Sequence, residues 1–457
     1  MDALLLSFAL VLLAAILISG IAHRTVLSTT VLFLFAGFVL GEGMLGVIDL
    51  EPTDPTVTTV SSLALFIVLF TDGQEVGLQQ LRAAWRLPGR ALLLGMPITF
   101  AITTLLGVWL LGFDWLEAAL VAAVLAPTDP VFASAIVGRG EIPHRVRHLL
   151  GVESGLNDGL ALPVVLILIA TVGGPDVEPL VLAEELGLGI LVGIVVPLIV
   201  AWLVRRRIFT RTPIYASLTP VAVALIVLGV CTVTHANLYL AAYAAGITIA
   251  TASPEMRDAF REFGGQVSEL MKLLAILMFG ALISPELLAS VPWTGYLFGI
   301  LLLVFARPAA VELSLVGSGL PWEERATAAW FGPKGFASVL YGLLVLQSGA
   351  PEAAFMFHVI VVAIVLSIVA HSSTDVPIAG WFARREAADR EAHATWRDTP
   401  EVGLRGGIRK PDRRATGATG ATDVEGGTAG EGGERGETDA AAAAAPERPA
   451  APPASED

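Results

Sequence analysis

Charge is scarce in this chain and cysteine all but absent. Asp, Glu, Lys and Arg together make up 15% of the 457 residues, and the one thiol, Cys231, lies within an apolar run. Neither a disulfide framework nor a thiolate metal cluster can be built from it. A His-Glu-x-x-His sequence is missing as well, which removes the usual zinc-hydrolase reading. Lysine and arginine are absent from one alternating set of segments, 47–56, 113–115, 173–179, 235–236, 288–292 and 349–351. No basic region precedes the first apolar stretch, where Asp2 stands instead. That stretch is therefore expected to remain as a span and not to be cleaved.

What fills the chain is apolar. Hydrophobic residues are 55% of it, mean hydropathy is +0.73, and the runs reach roughly 18 to 25 residues, the length that crosses a bilayer. The expected fold class is an all-α polytopic membrane protein. Window length and punctuation place about thirteen spans. They fall near 3–22, 26–46, 57–73, 89–112, 116–138, 146–172, 180–204, 214–234, 237–252, 268–287, 293–316, 326–348 and 352–371. Arginines collect in the complementary segments, from Arg24 through the cluster at 205–211 to Arg384 and Arg385. By the positive-inside rule the N-terminus lies outside and the C-terminus in the cytoplasm, with an odd number of spans.

Two six-span halves flanking the seventh span then have opposite topology. The fifth span, with Pro127 and Pro130, corresponds to the twelfth, with Gly332, Pro333 and Gly335. Interrupted helices at matching positions of an inverted repeat point to a transport site. Residues 1–382 are expected to form the transmembrane part. Residues 383–457 read as a cytoplasmic tail, largely disordered beyond a short helical start. The net charge of −14 sits about half in the last forty or so residues, so it reports a solvated tail and gives no sign of a nucleic-acid partner.

Carboxylates inside spans cost about 2.5 to 3.5 kcal/mol each even on the lowest scale, and Asp129, Glu153 and Asp158 stand close together. In Ala126-Pro127-Thr128-Asp129-Pro130 the prolines leave the carbonyls of Ala123 and Ala126 without helical donors. Such carbonyls must line a polar cavity or be buried in protein, so an oxygen-rich pocket beside Thr128 and Asp129 is expected. The alternative is a kinked structural helix whose second half Asp129 caps. In Glu153-Ser154-Gly155-Leu156-Asn157-Asp158-Gly159, Glu153 and Asn157 are four apart, as are Ser154 and Asp158, so two neighbouring helical stripes are polar. Oxygen donors of this kind suit hard monovalent cations. A carboxylate in low dielectric also favours its proton. One acid serving two competing ligands is a sufficient core for exchange.

Together the two motifs resemble the NhaP-type sodium/proton antiporters of the monovalent cation/proton antiporter superfamily, over roughly residues 1–380 and not over the tail. The resemblance implies a homodimer of about thirteen helices per chain, in the plasma (inner) membrane of a prokaryote. A dimerisation part would hold a core part containing two crossed, broken helices. It implies that Asp158 takes the cation or the proton, with Thr128, Asp129, Glu153 and Ser154 completing a Na⁺ site. Asn157, where electrogenic relatives carry aspartate, implies one-for-one electroneutral exchange. Arg307, mid-span in Phe-Ala-Arg-Pro, is expected to pair with Glu153. Lys334, in Gly-Pro-Lys-Gly where the family commonly has arginine, is expected to neutralise half-helix dipoles at the crossing. Asp72, in Phe-Thr-Asp-Gly, is a supporting acid expected against Lys334 or at the cytoplasmic mouth, and Glu75 reads as a solvated helix end. His358 reads as a satisfied core histidine, and Trp115, Trp293, Trp322 and Trp381 as anchors at the membrane interfaces.

The expected activity is secondary antiport of protons against Na⁺ or Li⁺. Membrane lipid and the transported monovalent cations are the expected partners, and no cofactor or enzymatic role is expected. A K⁺/H⁺ antiporter of the same fold is the alternative. A cation channel comes next, although no filter-like carbonyl repeat is present in the sequence.

Overall fold

A computed structural model describes residues 2–22, 29–75, 87–129, 142–173, 179–206 and 213–398. Helices α1 (Asp2–Ala22), α2 (Thr29–Leu40) and α3 (Pro55–Glu75) are followed by α4 (Pro88–Leu111), α5 (Trp115–Leu125), α6 (His144–Val172) and α7 (Pro179–Val204). Then come α8 (Leu218–Thr234), α9 (Leu238–Ala252), α10 (Pro254–Ala281) and α11 (Trp293–Ser314). The chain ends in α12 (Trp322–Trp330), α13 (Phe336–Gln347) and α14 (Ala353–Asp398). Among the described residues seven helices are long and apolar enough to cross a membrane, and six shorter apolar ones accompany them. Each expected span has a helical counterpart, the twelfth being split into α12 and α13.

Local sequence sets the ends. Asp114 and Glu117 form a capping box at the start of α5, and Asn237 accepts from the Leu240 N–H at 3.0 Å to start α9. α4 stops at Gly112, whose φ of 73° suits a residue without a side chain.

Two boundaries differ from the hydropathy reading. The tenth span begins well before residue 268, because Pro254–Ala281 is one helix whose first half is amphipathic, carrying Arg257, Asp258, Arg261 and Glu262. Charged residues lower hydropathy without opposing helix formation. α14 likewise runs beyond the expected thirteenth span, 352–371, and through the short helical start expected of the tail to Asp398. The rest of the tail, 399–457, lies outside the described residues, as do Pro130, the second half of the fifth span, and Arg24, Arg82, Arg86, Arg139, Arg207 and Arg211.

Small residues bring pairs of helices into backbone contact, as is common between membrane helices. A Cβ on Gly73 would lie 2.5 Å from the Tyr243 carbonyl oxygen, and one on Gly246 would lie 2.4 Å from that of Phe70, so α3 and α9 are pressed together. Gly37 and Gly280 do the same for α2 and α10, with 2.1 Å to Leu277 O and 2.3 Å to Leu34 O. Trp115, Trp293, Trp322 and Trp381 are exposed, as interface anchors would be. His358 is half-buried, not in the core, and its Nδ1 lies 3.0 Å from Ser290 Oγ.

Candidate functional site

Two breaks face each other in the interior. After α5 the chain through Asp129 is not helical, and between α12 and α13 the residues Phe331–Gly335 are unwound. Each break supplies what the other's helix ends lack. Lys334 Nζ donates to the carbonyls of Ala126 (3.2 Å) and Pro127 (3.1 Å), placing a basic group at the C-terminal end of α5. Asp129 Oδ2 accepts from the Phe336 N–H at the first turn of α13, and the Asp129 N–H donates to Pro333 O at 2.8 Å. Ser338 Oγ donates to Val124 O at 2.8 Å, and the Lys334 N–H is held by Ser367 Oγ of α14 at 2.7 Å. The Gly-Pro-Lys-Gly sequence is what permits this approach. A Cβ on Gly335 would sit 2.1 Å from Asp129 Oδ2, and one on Gly332 would sit 1.5 Å from the Arg307 Nε.

This geometry corrects the sequence reading at two points. The Ala126 carbonyl does not line an open oxygen pocket; it is bound by Lys334. Asp129 accepts at the first turn of α13, from the opposite break, while the second half of its own span lies outside the described residues.

α6 lies alongside the crossing. Thr128 Oγ1 is 3.1 Å from Ser154 Oγ, and Asn157 Nδ2 donates to the same Thr128 oxygen. Arg307 reaches Glu153 with two nitrogens, at 2.9 and 3.3 Å, and also donates to Phe331 O at 3.2 Å. Thr128, Asp129, Glu153 and Ser154 are thus committed to protein partners. Asp158 differs: it is buried, and its Oδ1 has no partner. Its electrostatic neighbours are Asp72, Asp129, Lys272 and Lys334. Among the described residues no group of three or more His, Cys, Asp or Glu is arranged to hold a metal ion.

Asp72 is placed differently from expectation. It pairs with Lys272 of α10, Nζ to Oδ1 at 3.7 Å, and not with Lys334. Both residues are buried, and Asp72 Oδ2 has no partner. Tyr243 of α9, whose hydroxyl is also buried without a partner, presses its ring onto Gly159, where a Cβ would fall 2.0 Å from the ring. Tyr341 donates to Asp158 O at 2.9 Å. The sequence reading missed Lys272, Tyr243, Tyr341 and Ser367. Lys272 did carry a signal: the chain has three lysines, Lys272, Lys334 and Lys410, and Lys272 is flanked by Leu270, Met271, Leu273 and Leu274.

A cleft of about 340 Å³ opens beside these groups, lined on α3 by Thr71, Gln74 and Glu75, on α6 by Gly151, Val152, Gly155 and Leu156, and on α10 by Phe260, Arg261 and Gly265 among others. Gly151, Gly155 and Asp158 share one helical stripe, so the cleft lies one turn from the acid. The exposed Glu75 stands at its rim.

The family described as sodium/hydrogen exchanger, transmembrane, matches residues 9–381. Among curated proteins the chain is similar to a K⁺/H⁺ antiporter NhaP of Alkalimonas amylolytica, 27% identical over 377 residues covering 81% of this chain and 65% of the relative. It is also similar to a K⁺/H⁺ antiporter NhaP2 of Shewanella sp. (strain MR-4), 25% identical over 80% of this chain and 64% of that one. The chain therefore spans just under two thirds of the length of these relatives. Its fold is similar to that of the sodium proton antiporter MjNhaP1 from Methanocaldococcus jannaschii at pH 8, with a TM-score of 0.68 at 19% identity, covering 83% of this chain and 98% of the other.

Proposed function

The chain belongs to the sodium/hydrogen exchanger family, and from that premise we propose that it is a secondary active antiporter exchanging protons for Na⁺ or Li⁺. One observation carries the reading. Beside the crossing of the two breaks, Asp158 keeps a buried carboxylate oxygen with no protein partner, while Thr128 bonds to Ser154 and Asn157 and Glu153 is held by Arg307. A buried charge of this kind is costly unless neutralised. A proton or a monovalent cation neutralises it equally, and the two compete for one site. Movement of the core between its two exposures is then cheap when the acid is loaded with either ion and costly when it is empty and charged, which couples the fluxes one for one. Asn157 adds no second charge; it bonds to Thr128.

The remaining features follow from this reading. The cleft beside Asp158 serves as the path from the cytoplasmic side, the N-terminus lies outside, and the protein works as a homodimer in a prokaryotic plasma membrane. No cofactor takes part. The NhaP and NhaP2 relatives, named as K⁺/H⁺ antiporters, make K⁺ the alternative cargo. Everted vesicles separate the two. Addition of Na⁺ or Li⁺ should dissipate a preformed pH gradient, and a response confined to K⁺ would select the alternative. No response to any alkali cation would remove the antiporter reading altogether.

A further inference from the structure

Formal charges around the crossing do not balance. Asp72, Asp129, Glu153 and Asp158 are buried there with Lys272, Arg307 and Lys334. Arg307 is fixed on Glu153, and Lys334 is fixed on two carbonyls at the end of α5. Lys272 is held less firmly. Its ion pair among the described residues is 3.7 Å to one oxygen of Asp72, longer than a hydrogen bond. Its stem has four flexible carbons, and its ammonium is a compact charge without a preferred plane. Two unpartnered acceptors are at hand, Asp72 Oδ2 and Asp158 Oδ1, and Lys272 interacts electrostatically with both acids. It interacts also with Asp129, which is engaged at the start of α13, and with the exposed Glu269.

Resting on the antiport reading above, we propose that Lys272 is a built-in rival of the transported cation, and that Asp72 is the positioning residue that parks its ammonium away from Asp158. In this arrangement Asp72 need not touch the cargo. It acts through Lys272: while the pair holds, Asp158 is available to an entering ion. If Asp72 loses its charge, the ammonium turns to the unpartnered oxygen of Asp158 and occupies the place of the cargo. A flexible cation is thus kept on Asp72 so that Asp158 can serve transport.

The test is the cation dependence of exchange in everted vesicles carrying the full chain, measured with Na⁺, Li⁺ and K⁺. Asp72→Asn should raise the KM for the cation by roughly tenfold or more, the equivalent of about 1.4 kcal/mol. Asp72→Asn combined with Lys272→Met should bring KM back to within roughly threefold of the parent, since no rival charge is left. Lys272→Met alone should leave KM unchanged or lower it, and Asp72→Glu, which keeps the parking carboxylate, should resemble the parent. A direct ligand role for Asp72 gives the opposite result for the double variant, whose KM would stay high; that outcome overturns the proposal. So does a rise in KM for Lys272→Met, a measurement that stands even if Asp72→Asn fails to accumulate. Parent protein that exchanges normally while Asp72→Asn leaves KM unaltered removes this inference alone. Parent protein that exchanges no cation removes the antiport reading with it.

Discussion

The two buried ion pairs near Asp158 are built in opposite ways. Arg307 sets two nitrogens against the two oxygens of Glu153 and adds a bond to the Phe331 carbonyl. Lys272 meets Asp72 through one oxygen and at greater distance. A guanidinium fork is fixed in a plane, whereas an ammonium pivots. The first pair therefore fastens α6 and α11 to the unwound segment of the second break. The second leaves acceptors unfilled on either side of it. Burial is alike in the two pairs, so burial does not separate a brace from a moving part. The number of bonds per charge does.

The comparison can be broken or sharpened by substitution. The largest effect is expected at the acid beside both pairs: Asp158→Asn should abolish cation-driven proton flux in vesicles while membrane yield and assembly stay normal. Flux at the parental rate in that variant would falsify the assignment. Asp129→Asn comes next, because α13 loses the carboxylate at its first turn. Flux should fall severely, and the unfolding midpoint in detergent should fall with it. Arg307→Ala strands Glu153 in the interior, a change that costs roughly 3 to 5 kcal/mol where a buried partner is removed. Thermal unfolding in detergent should show that loss clearly for Arg307→Ala and much less for Lys272→Met. Equal losses would erase the distinction between brace and moving part.

The smallest effect is expected in the C-terminal half of α14, where Arg385 pairs with Glu323. The carboxyl of Glu323 is held below the ordinary glutamate range, first by its own backbone N–H and then by Arg385. A depressed folded-state value stabilises above the ordinary value, about 4.3, and that stabilisation is lost as pH falls through the folded value. Arg385→Ala should lower the unfolding midpoint slightly at neutral pH, with the difference from the parent closing in acid. A difference that widens on acidification would contradict the sign.

Much of this was legible in the chain itself. The spans followed from run length, and the breaks from Pro127 and from Gly332-Pro333-Lys334-Gly335. Arg307 stood out because a mid-span guanidinium demands a carboxylate, and Glu153 is where the structure puts it. The partner of Asp72 was not legible. Its position on α3 was clear, but which helix crosses it is a matter of three-dimensional packing that periodicity does not encode. The amphipathic first half of α10 added to the error, since it made the tenth span seem to start late and placed Lys272 near its edge instead of inside the bundle. The trans cap from Asp129 to α13 was hidden for a related reason. A capping residue is usually sought just ahead of the helix it serves, and here the two are 207 positions apart.

Gly73 and Gly246 have a consequence for how the molecule can change shape. Where two helices meet along bare backbone there is no cushion of side chains to shear, so α3 and α9 form a single spar. Asp72 and Tyr243 ride on it together, as do α2 and α10 on theirs through Gly37 and Gly280. Any slip plane must run between such spars and not within them. A methyl group added at Gly73 would act as a wedge, forcing open a seam that the moving protein keeps shut.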